Sequence, residues 1–137
     1  MSYYTLDTNI CIYLLNGKYP LLTQRFQLQD PNRIKISSMV EAELRLGAEK
    51  SMRRERVHAA LDTFLDSFEV VSFDREAAHL YALIRSQLER QGMPIGPNDI
   101  VIAATAMLHG HILVTHNKAE FRRVLNLKVE DWVTDAS

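Results

Sequence analysis

The sequence predicts an α/β fold in which a central, mostly parallel sheet has helices on both faces. Short β-like runs alternate along the chain with longer segments whose apolar residues recur at helical spacing. The chain has 137 residues, of which 47% are hydrophobic, and this is enough for one real core. We therefore expect a single α/β domain over residues 1–137.

The first half of the chain contains five predicted elements: a strand over 3–6, helices over 8–15 and 21–28, a strand over 33–36 and a helix over 38–50. Asn16-Gly17 is typical of a helix end, and Pro31-Asn32 of a turn. Ser38 and Glu41 have the spacing of a capping box at the start of the third helix. Asp7 lies where the first strand passes into the first helix.

The second half continues the alternation, with a helix over 54–68, a strand over 69–73, a helix from Asp74 to about 90, a helix from Gly96-Pro97, a strand over 111–115, a short helix over 119–124 and a last strand at 128–129. Residues 100–108 are apolar on most sides, which indicates a buried helix. Asp99 lies in the first turn of that helix.

Asp7, Glu43 and Asp99 are the candidate residues for an acidic site. In open α/β sheets, ligands bind beyond the carboxyl ends of the strands, and Asp7 and Asn117 follow predicted strands. Each aspartate also has a structural alternative, because Asp7 can cap the first helix and Asp99 can interact favourably with a helix dipole. The topology allows the three acids to converge.

Glu41 competes with Glu43 for a place in this site. The two are about 200° apart around a helix, so they cannot both face the same cleft. Glu41 has a sufficient structural role if it reaches back to the Ser38 backbone. Glu43 has no such local partner and lies next to apolar Leu44, so Glu43 is the better candidate.

Three carboxylates in one cleft repel one another unless a hard divalent cation neutralises them, which predicts magnesium, with manganese as a possible substitute. Zinc is a weaker expectation, because His109 and His111 lie at a turn without a third soft ligand. His116 precedes Asn117 at a strand end and is a secondary candidate for contact with substrate, but a solvated loop histidine is the better explanation of the sequence.

Composition excludes several classes of protein. Cys11 is the only cysteine, so neither an intrachain disulfide nor a structural zinc site built from several thiolates can form, and a reducing cytosol fits best. No export signal is visible, and the apolar runs are too short to span a bilayer. The formal net charge of −1 does not indicate a polyanionic partner, and acidic neighbours dilute the basic cluster formed by Lys50, Arg53, Arg54 and Arg56.

Six short fragments of the chain form a recognisable pattern: Leu6-Asp7-Thr8-Asn9, Ser37-Ser38 leading into residues 43–49, residues 94–99, Ile102-Ala103-Ala104, residues 114–117 and Glu120-Phe121. Each fragment is weak alone, but their order and spacing over more than a hundred residues make a strong combined pattern. In this pattern the chain resembles the PIN-domain nucleases, specifically the VapC toxins of bacterial toxin–antitoxin pairs.

The resemblance implies that Asp7, Glu43 and Asp99 bind the metal. The family's fourth position, often aspartate, is Asn117 here. An amide contributes a carbonyl oxygen but no charge, so one tightly held magnesium is expected, with Glu120 as a possible helper three residues later. An exposed glutamate that opens a short helix explains Glu120 equally well.

The resemblance also implies an endoribonuclease that hydrolyses RNA with metal-activated water and leaves 5′-phosphate ends. Similar toxins cut initiator tRNA in the anticodon loop and thereby inhibit translation. We further expect a homodimer and a VapB-type antitoxin that covers the acidic cleft and forms a larger complex with the toxin. We also expect a cytoplasmic location and no membrane contact.

Three alternatives remain open from the sequence. A haloacid dehalogenase-type phosphatase would also place an aspartate after the first strand, but such enzymes need a second aspartate two residues later, where this chain has Asn9. A DNA-directed nuclease of related fold would use the same phosphate chemistry. An inactive binding module is mildly favoured by Asn117, whereas the three retained acids argue against it.

Overall fold

The computed structural model describes residues 1–134, which contain a five-stranded, fully parallel sheet in the order β3-β2-β1-β4-β5. Its strands are β1 (Tyr4–Leu6), β2 (Ile34–Ser37), β3 (Glu69–Val71), β4 (Ile112–Val114) and β5 (Val129–Glu130). Each predicted strand therefore exists, with ends that shift by one or two residues. The α/β prediction is confirmed.

The sheet is covered on both faces, as the prediction requires. Successive side chains of a strand point to opposite faces, so a strand buried at adjacent positions has helices on either side. Thr5 and Leu6 in β1 are at most 2% exposed, and Leu113 and Val114 in β4 are fully buried. The fold is thus a three-layer α/β/α arrangement.

The described helices are α1 (Thr8–Asn16), α2 (Pro20–Gln27), α3 (Ser38–Glu49), α4 (Arg54–Leu65), α5 (Arg75–Arg90), α6 (Pro97–Leu108) and α7 (Lys118–Phe121). A short 3-10 turn at Pro31–Arg33 precedes β2. Helix α1 ends at Gly17, whose φ of 63° lies in the left-handed region that suits glycine. Helix α6 is buried from Ile100 to Ala106, as its apolar sequence predicts, and it packs along α5.

Two local predictions were wrong. The cap of α3 is Ser37, whose Oγ accepts from the Val40 amide at 3.1 Å, and not Ser38. Strand β2 continues through Ser37 and α3 begins at Ser38, so the helix starts where predicted but its cap lies one residue earlier than expected. Ser38 Oγ instead accepts from the Phe73 amide, and Glu41 pairs with Arg45 at 3.2 Å. The proposed capping box is therefore absent, although Glu41 does have a structural partner.

The helix predicted over 54–68 is shorter than expected. Helix α4 ends at Leu65, and the amides of Ser67 and Phe68 bond to carbonyls three residues back, which closes a tight turn before β3. The helix predicted over 119–124 is the four-residue α7. Among the described residues, no helix combines the length and apolar character needed to cross a membrane.

The strand order places a topological switch point between β1 and β4. From β1 the chain proceeds outward to β2 and β3, and it then returns to the other side of β1 for β4 and β5. The two strands are joined at their carboxyl ends, where the Asp7 amide donates to the Val114 carbonyl at 3.1 Å. A crevice at such a point is the usual ligand site of an open α/β sheet.

Candidate active site

Asp7 lies at the switch point and both caps α1 and faces the crevice. Its Oδ1 accepts from the Ile10 amide at 2.9 Å, and its side chain is 6% exposed. Burial raises the pKa of Asp7 to about 6, even though hydrogen bonds from Thr115 and Ile10 favour the charged form. The nearby charge of Glu43 raises the pKa further. The capping role predicted as an alternative is thus real and coexists with a place among other acids.

Glu43 extends from α3 toward the start of α1 and of α6. Thr8 Oγ1 donates to Glu43 Oε1 at 2.5 Å, and Asn98 Nδ2 lies 3.4 Å from Glu43 Oε2. Both carboxylate oxygens are therefore held by side chains from other helices. The sequence correctly indicates that Glu43 has no local partner, because both of its partners are distant along the chain.

Asp99 is the third residue of α6 and is close to the acids of three other elements. Burial and a hydrogen bond with Glu120 raise the pKa of Asp99 to about 7, and the charges of Glu43 and Asp7 add to the effect. A hydrogen bond between two carboxyl groups needs a proton on one of them, and the raised pKa of Asp99 makes Asp99 the donor. Glu120 therefore belongs to the acidic crevice.

Asn117 occupies the corner that the family resemblance assigns to a fourth acid. Its Nδ2 donates to Glu120 Oε2 at 2.5 Å, and its backbone amide donates to Thr115 Oγ1 at 3.0 Å. The amide group of Asn117 thus orients the Glu120 carboxylate. Asp7, Glu43, Asp99, Asn117 and Glu120 are all brought to one crevice.

The oxygen ligands that these side chains offer are of the type that a hard divalent cation prefers. The charged groups are carboxylates, and their burial and mutual repulsion raise two pKa values, so a positive charge in the crevice would relieve an unfavourable concentration of negative charge. No group of three or more His, Cys, Asp or Glu side chains in the described 1–134 segment is spaced to hold a metal ion as it stands. The acids converge without forming a preformed cage.

Asp131 is a further residue of this region that the sequence analysis missed. It follows β5 just as Asp7 follows β1, and that position is the signal that could have identified it. Asp131 is 2% exposed, and its Oδ2 bonds to His116 Nδ1 and Thr134 Oγ1, both at 2.9 Å. Burial opposes ionisation of Asp131, but hydrogen bonds from His116, Val133 and Thr134 outweigh burial and lower its pKa.

The other histidine candidates lie elsewhere. His111 precedes β4, at the amino ends of the strands, and its Nδ1 lies 2.9 Å from Thr5 Oγ1. The ring of His109 lies 5.5 Å from that of His111. In the basic cluster between α3 and α4, Arg54 pairs with Glu49 at 3.8 Å, as the acidic neighbours led us to expect.

The chain matches the PIN domain family over residues 4–126. It is 41% identical over 131 residues to ribonuclease VapC2 of Rickettsia felis, with 94% of this chain and 97% of the relative covered. It is 42% identical over 132 residues to the tRNA(fMet)-specific endonuclease VapC of Shigella flexneri, with 96% and 99% covered.

Solved structures agree with the sequence relatives. The DNA-bound VapBC complex of Salmonella typhimurium contains a chain with a TM-score of 0.90 and 40% identity, and the alignment covers 96% of this chain and 99% of that one. The chain belongs to the PIN-domain family, and within it to the VapC-type ribonuclease toxins.

Proposed function

We propose that this ribonuclease is a magnesium-dependent endoribonuclease that cleaves initiator tRNA in its anticodon loop and thereby inhibits translation. The observation that carries the metal dependence is the convergence of Asp7, Glu43, Asp99 and Glu120 at the switch point, with raised pKa values for two of them. The tRNA substrate is supported by the name of the Shigella relative, a tRNA(fMet)-specific endonuclease. Manganese is a possible substitute for magnesium.

In this proposal Asp7, Glu43 and Asp99 hold the cation, and Asn117 and Glu120 complete the catalytic crevice. The cation, when bound, lowers the pKa of a water molecule and neutralises charge that develops on the phosphate. The chain's own residues prepare the site: Ile10 and Thr115 fix Asp7, whereas Thr8 fixes Glu43. Asp99, whose pKa is raised to about 7, would have to give up its proton in order to hold a cation.

A VapB-type antitoxin is the proposed partner, since the Salmonella neighbour is a VapBC complex. A cationic residue of the antitoxin inserted among the acids would neutralise them by charge-assisted hydrogen bonds. We also propose a homodimer that joins the antitoxin in a larger complex, a cytoplasmic location without membrane contact, and one PIN-like nuclease domain over residues 1–137.

Cleavage of initiator tRNA by matched variants tests this function. The wild-type chain with magnesium is expected to give a single pair of fragments, whereas chelator, Asp7→Asn or Asp99→Asn abolishes them. Asp66→Asn, at an exposed position after α4, makes the same change of charge outside the crevice and should leave cleavage intact. Equal cleavage by all four proteins would refute the acidic site. Cleavage of a DNA copy as efficient as cleavage of the tRNA would show that the enzyme does not select RNA over DNA.

A further inference from the structure

A small aromatic and basic cluster adjoins the acidic crevice and has no role in holding a cation. The cluster consists of Lys18, Tyr19 and His116, which lie at the end of α1, the start of α2 and the end of β4. The Tyr19 and His116 ring centroids are 5.9 Å apart, and Lys18 Nζ lies 5.3 Å from the centroid of Tyr19. His116 is far from Lys18 and Tyr19 in sequence and meets them only because of the fold.

The position of His116 ties the cluster to the crevice. His116 lies between Thr115, which hydrogen-bonds Asp7, and Asn117, which hydrogen-bonds Glu120. A group bound on the His116 ring is therefore beside the acids, on the side of β4 and β5. The charge of Asp131, the partner of His116, acts on Asp7 as well, which confirms that the two regions are close.

The His116 ring is held firmly yet remains accessible. Its Nδ1 is anchored 2.9 Å from the buried Asp131 carboxylate, while 37% of its side chain is exposed. Within residues 1–134 its Nε2 has no hydrogen-bond partner. A fixed, partly exposed aromatic ring loses little conformational entropy on binding, which suits it to stack on another flat group.

Charge also distinguishes this cluster. Substrate phosphates must approach a crevice that concentrates carboxylates, in a chain with a formal net charge of −1. Lys18 is exposed, and among the described residues it has no carboxylate partner, so its ammonium group is available to a phosphate. Aromatic rings beside a cation are the arrangement that proteins use to bind single-stranded nucleic acid.

We propose that Lys18, Tyr19 and His116 form a subsite for one unpaired nucleotide adjacent to the cleaved bond. The base stacks on the His116 and Tyr19 rings, and Lys18 contacts a phosphate. This inference rests on the proposed ribonuclease function, and it adds a reason why the enzyme would require an unpaired loop: a base in a duplex cannot stack on protein rings.

The chain contains a natural comparison set at the other end of the sheet. Tyr3 lies 6.1 Å from His111 between ring centroids, and Lys35 Nζ lies 5.5 Å from the Tyr3 centroid. These three residues repeat the composition of the cluster at the amino ends of the strands. Lys35, however, is already paired with Glu69 at 3.3 Å. Substitutions in this set therefore provide matched controls.

The test measures RNA affinity in the Asp99→Asn background, where cleavage is expected to be abolished. The probe is a fluorescein-labelled, single-stranded RNA 12-mer, and binding is followed by fluorescence anisotropy. His116→Ala and Tyr19→Leu should each weaken binding roughly 5- to 100-fold, whereas Tyr19→Phe, which keeps a ring, should remain within about 3-fold. Lys18→Ala should reduce the slope of log affinity against log salt by about 1, and Tyr3→Leu and Lys35→Ala should change little.

Several results would overturn the subsite. Unchanged affinity in His116→Ala and Tyr19→Leu would do so, as would equal losses in the Tyr3 and Lys35 controls. Because Tyr19 also packs against the core, its variants are compared only if they melt like the parent, and the exposed His116 then decides. Failure of the wild-type chain to cleave any RNA would refute the proposed function itself, whereas cleavage with an unchanged KM in His116→Ala would refute only the subsite.

Discussion

Replacing Asp7 by asparagine should stabilise the cation-free protein. The pKa of this buried carboxyl is raised from 3.8 to about 6, and a pKa unit corresponds to about 1.4 kcal/mol, so ionised Asp7 costs up to about 3 kcal/mol of folding free energy. Asparagine is an equally good helix cap and can still accept from the Ile10 amide. Allowing for the lost attraction to the helix dipole, we expect a net gain of about 1 to 2 kcal/mol.

The sign of the pH dependence follows from the raised pKa. The folded wild-type chain keeps its Asp7 proton to higher pH than the unfolded chain, so wild-type stability falls as the pH rises from about 4 through about 6. The advantage of Asp7→Asn is therefore complete at pH 8 and small at pH 4. At pH 8 it should raise the melting temperature by roughly 3 to 10 °C.

Thermal denaturation with chelator, at pH 8 and at pH 4.5, measures this effect. Asp66→Asn serves as the control for the loss of one exposed carboxylate and should melt like the wild type. Adding magnesium should reverse the order, because a cation that binds only the folded wild type stabilises it by mass action. A less stable Asp7→Asn at pH 8, or an advantage that does not depend on pH, would refute the reasoning.

Four other outcomes follow from the same contacts. Cation affinity, measured by calorimetry, should fall about tenfold per pH unit from about pH 7 to 6, because Asp99 must lose its proton, and more steeply below about 6, where Asp7 must lose one as well; constant affinity from pH 8 to 5.5 would contradict this. Thr8→Val should weaken cation binding roughly tenfold and Thr8→Ser should restore it, because the Thr8 hydroxyl holds Oε1 of Glu43; equal affinities would exclude that role. Arg45→Met should lower the free energy of unfolding by about 1 kcal/mol in urea titrations, because Arg45 joins α3 to α4 through Asp62 at 2.6 Å. An unchanged urea midpoint would show that this ion pair does not stabilise the fold. RNA fragments should carry 5′-phosphates in end-labelling assays, whereas cyclic phosphates would indicate attack by the 2′-hydroxyl.

Features that depend on local chemistry could be read from the sequence. Asp74 caps α5 by accepting from the Ala77 amide at 2.9 Å, as its residue type and position predict. The strand-to-helix junction at Asp7 was likewise visible. The prediction of a capping box was wrong because either of two consecutive serines, Ser37 and Ser38, can cap α3. Only the point at which β2 ends decides between them.

Features that depend on tertiary contacts could not be read in this way. Glu43 is oriented by Thr8, 35 residues away, and Asp99 is hydrogen-bonded to Glu120 of another helix. The pairing of Asp131 with His116 requires β4 and β5 to be neighbours. Sequence spacing within one helix or strand carries no information about such pairs. The predicted topology allowed Asp7, Glu43 and Asp99 to converge, and the resemblance to a family supported that grouping, but neither indicated the pairwise contacts.

Calorimetric titration of magnesium and manganese into the wild-type chain and Asp99→Asn tests the central claim most directly, because it measures cation binding itself and not an effect of binding on cleavage or stability. We expect one cation per wild-type chain at pH 8 and none in Asp99→Asn, with Asp66→Asn like the wild type. Equal binding by wild type and Asp99→Asn, or RNA cleavage by a wild-type chain that binds no cation, would contradict the account.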